Sequence, residues 1–86
     1  MEISVKIIDP IGLHARPASI MVKEANNFSS DMKLVYNGKE ANLKSIMSVM
    51  ALGVRKDAQI KITASGKDAE SALDSVKKVM HENGLI

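Results

Sequence analysis

The dipeptide Asn37-Gly38 limits the possible folds of this chain more than any other short segment. The segment before it has a hydrophobic residue at every second position, namely Met32, Leu34 and Tyr36. A type I′ turn requires a positive φ at both of its central residues, and Asn-Gly is a preferred pair for that turn. The sequence therefore predicts a β-hairpin with a short return strand over Lys39–Asn42, and hence an antiparallel sheet.

Two further segments show the same alternation, which is typical of half-buried strands. The alternating hydrophobic residues are Ile3, Val5 and Ile7 near the start of the chain, and Ile60, Ile62 and Ala64 later. Asp9-Pro10-Ile11-Gly12 interrupts the first pattern, and Gly66 follows the second. We therefore expect a sheet of four strands.

Helical spacing, in steps of three and four residues, follows the first and the last predicted strand. The residues with this spacing are Ala18, Met21, Ala25 and Phe28 in one segment, and Ala69, Ala72, Leu73, Val76, Val79 and Met80 in the other. Pro17 suits the first turn of the first helix, and Gly84 suits the end of the last. Between these two helices, Ser45 is placed to cap a short helix that reaches Leu52.

The predicted order of elements is strand, helix, strand, strand, short helix, strand, helix (βαββαβα). A chain of 86 residues has room for a single domain, covering residues 1–86. In an antiparallel sheet, one face can be covered by helices while the other stays in water. The expected fold class is α+β: an open-faced β-sandwich in which two long helices and one short helix lie on one face of a four-stranded antiparallel sheet.

The composition argues against several classes of function. A formal net charge of +2, with one Phe, one Tyr and no Trp, provides neither the basic surface nor the aromatic platforms that are typical of direct nucleic-acid binding. There is no Cys, and His81 is the only histidine besides His14, so neither a disulfide nor a zinc site is expected. No hydrophobic run approaches the length of a membrane span, and no signal peptide is visible. We expect a cytoplasmic protein with no metal or other cofactor.

The segment Gly12-Leu13-His14-Ala15-Arg16-Pro17 joins the first predicted strand to the first predicted helix. His14 then lies at or just before a helix N-terminus, where unpaired backbone N–H groups are a favourable environment for phosphate. Arg16 adds a guanidinium that can bind two phosphate oxygens. The positive end of the helix disfavours an imidazolium and favours a neutral, nucleophilic ring. These features suit a histidine that accepts a phosphoryl group, although a histidine at a helix start is also common as a plain cap or surface residue.

Two separated segments resemble one known family. Gly12-Leu13-His14-Ala15-Arg16-Pro17-Ala18 resembles the active-site signature of HPr, the histidine-containing phosphocarrier family of the bacterial phosphoenolpyruvate:sugar phosphotransferase system. Asn42-Leu43-Lys44-Ser45-Ile46-Met47 resembles the regulatory serine region of HPr from low-GC Gram-positive bacteria. The resemblance runs the whole length of the chain and implies a phosphoryl-carrier protein rather than an enzyme. His14 would accept the phosphoryl group on Nδ1 from phospho-enzyme I and pass it to the A domain of a sugar-specific enzyme II, with Arg16 stabilising the phosphate.

The same resemblance implies that Ser45 is phosphorylated by the ATP-dependent HPr kinase/phosphorylase. A phosphoserine would add about −1.5 to −2 charge at the start of the short helix. From Ala41 to Lys56 the only charged residues are Lys44, Arg55 and Lys56, with no Asp or Glu, so the local field would change strongly. In this family, phosphorylation of this serine is expected to weaken phosphotransfer and to recruit the catabolite-control repressor. By itself, Ser45 is equally consistent with an ordinary N-cap.

The short helix has more hydrophobic residues than one buried face requires, and exposed apolar patches mark partner surfaces. Val49 and Leu52 suffice for the core, so we expect Ile46, Met47 and Met50 to be exposed. Met suits a docking surface because it adapts its shape to different partners. The family resemblance implies that the surface for enzyme I and the enzyme II A domains is completed by Ala15, Ser19, Val22 and Lys23.

The expected oligomeric state is a monomer. Two other interpretations of the sequence stay open. The first is the nitrogen-branch homologue of HPr, which uses the same chemistry. The second is a non-catalytic, ligand-binding regulatory module with the same order of strands and helices.

Overall fold

A computed structural model describes residues 1–86 and contains four strands and three helices in the predicted order. The elements are β1 (Glu2–Lys6), α1 (Ala15–Ala25), β2 (Asp31–Tyr36), β3 (Lys39–Asn42), α2 (Ile46–Ala51), β4 (Gln59–Ser65) and α3 (Ala69–Glu82). The predicted βαββαβα fold class is confirmed.

The four strands form one antiparallel sheet in the order β1-β4-β2-β3. The hairpin between β2 and β3 turns where the sequence predicts, with Tyr36 opposite Lys39. Asn37 has φ 54° and Gly38 has φ 80°, as the type I′ turn requires. The last strand in sequence, β4, lies between β1 and β2, so the sheet includes pairing between distant parts of the chain.

The hydrophobic core lies between one face of the sheet and the helices. Burial alternates along β2 and β4, so that Leu34 and Ile62 are fully buried while their neighbours in the strands face solvent. Long methionines fill space in this core: Met21, Met32 and Met80 are each at most 2% exposed. Their burial confirms the pattern in the sequence and agrees with the ability of Met to fill irregular gaps.

The first helix ends earlier than its hydrophobic spacing predicts. α1 stops at Ala25, and Phe28 lies beyond it, half-buried against the core. Asn26 is the C-cap of the helix, where its backbone N–H and its side-chain Nδ2 both donate to the carbonyl of Val22, at 3.0 and 2.8 Å. Phe28 still packs against the core through the following turn, in which its N–H donates to the carbonyl of Ala25.

Hydrogen bonds between Asp68 and two serines hold the start of α3 in place. The carboxylate of Asp68 accepts hydrogen bonds from the hydroxyl and the N–H of Ser30, and from the N–H and the hydroxyl of Ser29. These donors, with the Ser30 hydroxyl first, lower the pKa of Asp68 from 3.8 to about 2. Asp68, the N-cap residue of α3, therefore ties the start of the last helix to the turn after α1.

Candidate functional site

His14 is the N-cap residue of α1, as predicted. Its backbone is extended (φ −81°, ψ −170°), and its carbonyl accepts the N–H of Ala18 at 3.0 Å. The preceding residue, Leu13, is buried, and its N–H donates to the carbonyl of Val54 at 3.0 Å. A hydrogen bond across the molecule therefore fixes the backbone on one side of His14, and α1 fixes it on the other.

The first turn of α1 offers free donors beside His14. The N–H groups of Ala15 and Arg16 make no backbone hydrogen bond, Pro17 has no N–H, and the first turn contains no acidic residue. The Arg16 side chain is exposed and makes neither a hydrogen bond nor an ion pair within the protein. Two N–H groups, a guanidinium and the positive end of the helix dipole are therefore available to an anion next to the imidazole.

The imidazole of His14 has one charged neighbour. Its Nε2 lies 3.6 Å from Oδ1 of Asp9, and the His14 side chain is 35% exposed while that of Asp9 is 14% exposed. The same Oδ1 accepts the N–H of Ile11 at 2.9 Å. Sequence reasoning missed Asp9, although an Asp two residues before an exposed loop N–H is the usual pattern of an Asx-turn.

The site is open to solvent. None of the three surface depressions of the protein is lined by His14 or Arg16. The deepest groups of the loop, Gly12 and Leu13, are covered, whereas Ala15 and Arg16 are exposed. An open site suits a group that must be reached by a second macromolecule.

Six of the seven residues predicted for the partner surface are accessible, and one is not. Ile46, Met47 and Met50 of α2 are 39%, 83% and 42% exposed. Ala15, Ser19 and Lys23 of α1 are also exposed.

The assignment of Val22 to the exposed surface is wrong, because its side chain is only 6% exposed and belongs to the core. α1 packs against α3 on one side and α2 on another. Its buried face is therefore wider than the single stripe through Met21 and Ala25 that the sequence suggests. Contact with two helices also explains why a residue next to that stripe is buried.

The structure adds Ile11 as an exposed hydrophobic residue in the loop before His14. Its side chain is 71% exposed, three residues before His14, between Pro10 and Gly12. Sequence reasoning treated this segment only as an interruption of the first strand. An isolated hydrophobic residue in a loop gives no periodic signal, so only its exposure in the folded chain identifies it.

Ser45 is the N-cap of α2, as predicted, and its Oγ accepts the N–H of Ser48 at 3.2 Å. The backbone just before it is tied to α1, since Nδ2 of Asn26 donates to the carbonyl of Lys44 at 3.3 Å. Ser45 is half-exposed. The hydroxyl therefore both caps the helix and remains within reach of solvent.

Comparison with known proteins relates this arrangement to one family. A sequence model described as "PTS HPr component phosphorylation site" matches residues 1–82. The phosphocarrier protein HPr of Mycoplasma capricolum subsp. capricolum is 46% identical over 85 residues, which cover 99% of this chain and 96% of that protein.

Two solved structures extend the comparison. That of the histidine-containing phosphocarrier protein of Mycoplasma has a TM-score of 0.97 at 45% identity, and the match covers 100% of this chain and 98% of that one. The catabolite repression protein Crh of Bacillus subtilis has a TM-score of 0.76 at 39% identity, covering 95% and 94%.

The fold and the site define a small carrier domain of the open-faced β-sandwich class, with a histidine at the start of its first helix. The chain belongs to the HPr family, the phosphocarrier proteins of the phosphotransferase system. None of its helices has the length and apolar character needed to cross a bilayer.

Proposed function

We propose that His14 is the phosphoryl acceptor of this HPr protein. The observation that supports this most directly is the position of its half-exposed imidazole at a helix start with two unpaired N–H groups. The Nδ1 lone pair forms a bond to phosphorus as the bond between phosphorus and the donor group of phospho-enzyme I breaks. In the onward step the same bond breaks, and the A domain of a sugar-specific enzyme II receives the phosphoryl group.

Arg16 stabilises the phosphate in both transfers. Its guanidinium has no partner within the protein and lies two residues after His14, in the first turn of α1. An exposed, mobile arginine adds charge-assisted hydrogen bonds as the phosphate arrives. It does not enclose the phosphate, which must leave again at the next step.

Enzyme I and the enzyme II A domains dock on the exposed surface of α1 and α2. Six of the predicted residues support this surface by their exposure, namely Ala15, Ser19, Lys23, Ile46, Met47 and Met50. The surface combines flexible methionines with a cation, which suits successive partners of different shape. The protein acts as a monomer in the cytoplasm and needs no cofactor of its own.

Ser45 is the regulatory site for the HPr kinase/phosphorylase. Its half-exposed hydroxyl starts α2, the helix that also carries Met47 and Met50. A phosphate there would place negative charge beside the docking surface and reduce transfer from enzyme I. Similarity to Crh, a catabolite repression protein, supports a link from phosphorylated Ser45 to the catabolite-control repressor.

The decisive experiment for the carrier function uses enzyme I and labelled phosphoenolpyruvate. The wild-type protein should acquire a phosphate that is labile in acid and stable in base, and His14→Ala should acquire none. Arg16→Ala should be labelled more slowly than wild type. Absence of label on the wild type, or undiminished label on His14→Ala, would contradict the assignment.

The regulatory proposal has a separate test. HPr kinase and ATP should introduce an acid-stable phosphate into the wild type and none into Ser45→Ala. Ser48→Ala is the matched control, because Ser48 lies one turn later in the same helix. An acid-stable phosphate on Ser45→Ala would contradict the proposal.

A further inference from the structure

We propose that Asp9 is a positioning residue for His14, and that its carboxylate holds the imidazole with the proton on Nε2 and Nδ1 free to attack phosphorus. The inference rests on the proposed phosphoryl transfer to His14. It starts from the 3.6 Å separation between Nε2 of His14 and Oδ1 of Asp9. This distance is longer than a hydrogen bond, and catalytic contacts in unliganded sites are often long and tighten only in the reacting complex.

The carboxylate is fixed before any phosphate arrives. Its Oδ1 accepts the N–H of Ile11 at 2.9 Å, and the Asp9 carbonyl accepts the N–H of Gly12 at 3.0 Å. The side chain is only 14% exposed. A carboxylate held by its own turn and largely removed from water can orient a neighbouring imidazole without itself being reorganised.

His14 is the only ionisable side chain that forms a charged contact with the Asp9 carboxylate. Asp9 forms no ion pair with a lysine or arginine, and Lys6, the nearest cation before it in sequence, pairs with Asp57 at 3.8 Å. Arg16 makes no ion pair and lies on the other side of His14 in sequence. The carboxylate and the guanidinium are therefore two separate groups of opposite charge, one on each side of His14 in the sequence.

The chemistry of transfer gives this carboxylate a function. As Nδ1 forms its bond to phosphorus, the donor recovers the electron pair of the breaking bond and the imidazole gains positive charge while keeping its Nε2 proton. A carboxylate at Nε2 stabilises that imidazolium. The aspartate of a Ser-His-Asp catalytic triad does the same for its histidine. In the onward step, the carboxylate keeps Nε2 protonated, and the ring can therefore take back the electron pair of the N–P bond and leave phosphorus as neutral imidazole.

Asp9→Asn tests the charge while retaining the turn, because the Asn side-chain oxygen still accepts the N–H of Ile11. We expect acceptance from phospho-enzyme I to slow by about tenfold, as loss of one charge-assisted hydrogen bond implies. The phosphohistidine should also hydrolyse more slowly at neutral pH, since its ring is less readily protonated. Asp74→Asn on the exposed face of α3 makes the same change in net charge and should alter neither rate.

Nitrogen NMR of the unphosphorylated wild type provides a readout that needs no variant. The neutral ring should carry its proton on Nε2, and a proton on Nδ1 would overturn the inference. Transfer rates and phosphohistidine lifetimes of Asp9→Asn that equal those of Asp74→Asn would also overturn it, provided that wild type is labelled on His14. A wild type that takes no label on His14 contradicts the carrier function itself, so the two failures are distinguishable.

Discussion

The carbonyl oxygen of Val54 occupies the space that a side chain on Gly12 would need. A Cβ on Gly12 would lie 2.3 Å from that oxygen and 2.8 Å from Cα of Arg55, and Gly12 has φ +82°. The N–H of Leu13 donates to the same carbonyl at 3.0 Å. Close contact between two backbones thus sets the position of the loop that ends in His14.

Gly12→Ala should therefore both destabilise the protein and slow phosphorylation of His14. The left-handed conformation alone costs about 1–2 kcal/mol for a residue with a side chain, and the collision with Val54 adds to that cost. Gly53→Ala is the matched control, because Gly53 has φ +68° and open space around its missing Cβ. Urea unfolding should show the larger loss of stability for Gly12→Ala. Only this variant should accept labelled phosphate from enzyme I more slowly than wild type. Equal stability losses in the two variants would contradict the role of the close contact.

The hydrogen bonds to Asp68 predict a loss of stability in acid. The pKa of Asp68 is lowered to about 2 in the folded protein, so the unfolded chain binds this proton more readily. Its contribution is complete above the ordinary pKa of a carboxyl and is lost as the pH falls towards 2. Asp68→Ala should be less stable than wild type at neutral pH, and the difference should shrink over that window. A stability difference that is independent of pH, measured by unfolding in urea, would contradict this origin.

The sequence predicted the hairpin, the buried methionines and the position of His14 because each depends on local pattern. A two-residue turn, a spacing of two and a residue just before a helix are all properties of neighbouring positions. Val22 and Phe28 depend instead on which helices surround α1 and where Asn26 ends it. Asp9 and Ile11 have no periodic signal, and their relation to His14 exists only after the loop closes on Val54. The sequence-based errors therefore concentrate where the result depends on helix packing and loop closure and not on the spacing of hydrophobic residues.

Substitutions at Met47 and Val22 distinguish the proposed docking surface from the hydrophobic core. Met47 is 83% exposed and Val22 is 6% exposed. Met47→Asp should leave the unfolding midpoint nearly unchanged and weaken binding to enzyme I. Val22→Asp buries an unpaired charge and should unfold the protein at much lower urea concentration. A large loss of stability in Met47→Asp would show that this side chain belongs to the core.

Ser45 caps α2 and is also the proposed regulatory site, and substitutions can separate these two roles. Its Oγ accepts the N–H of Ser48 at 3.2 Å, and Ser45→Ala removes that acceptor. The loss of a serine N-cap costs about 1 kcal/mol, which urea unfolding can measure. Ser45→Ala should nevertheless accept phosphate from enzyme I at a rate close to that of wild type, because it adds no charge to the docking surface.

Ser45→Asp makes the complementary change. Aspartate is as good an N-cap as serine and is favoured by the helix dipole, so stability should be close to that of wild type. It also places a negative charge in a segment, residues 41–56, that otherwise contains only Lys44, Arg55 and Lys56 as charged residues. Transfer from enzyme I should therefore be slower than in Ser45→Ala, although the Asp variant is the more stable of the two. Faster transfer from enzyme I in Ser45→Asp than in Ser45→Ala would contradict this, because the transfer rate would then follow the stability of α2 and not the added charge.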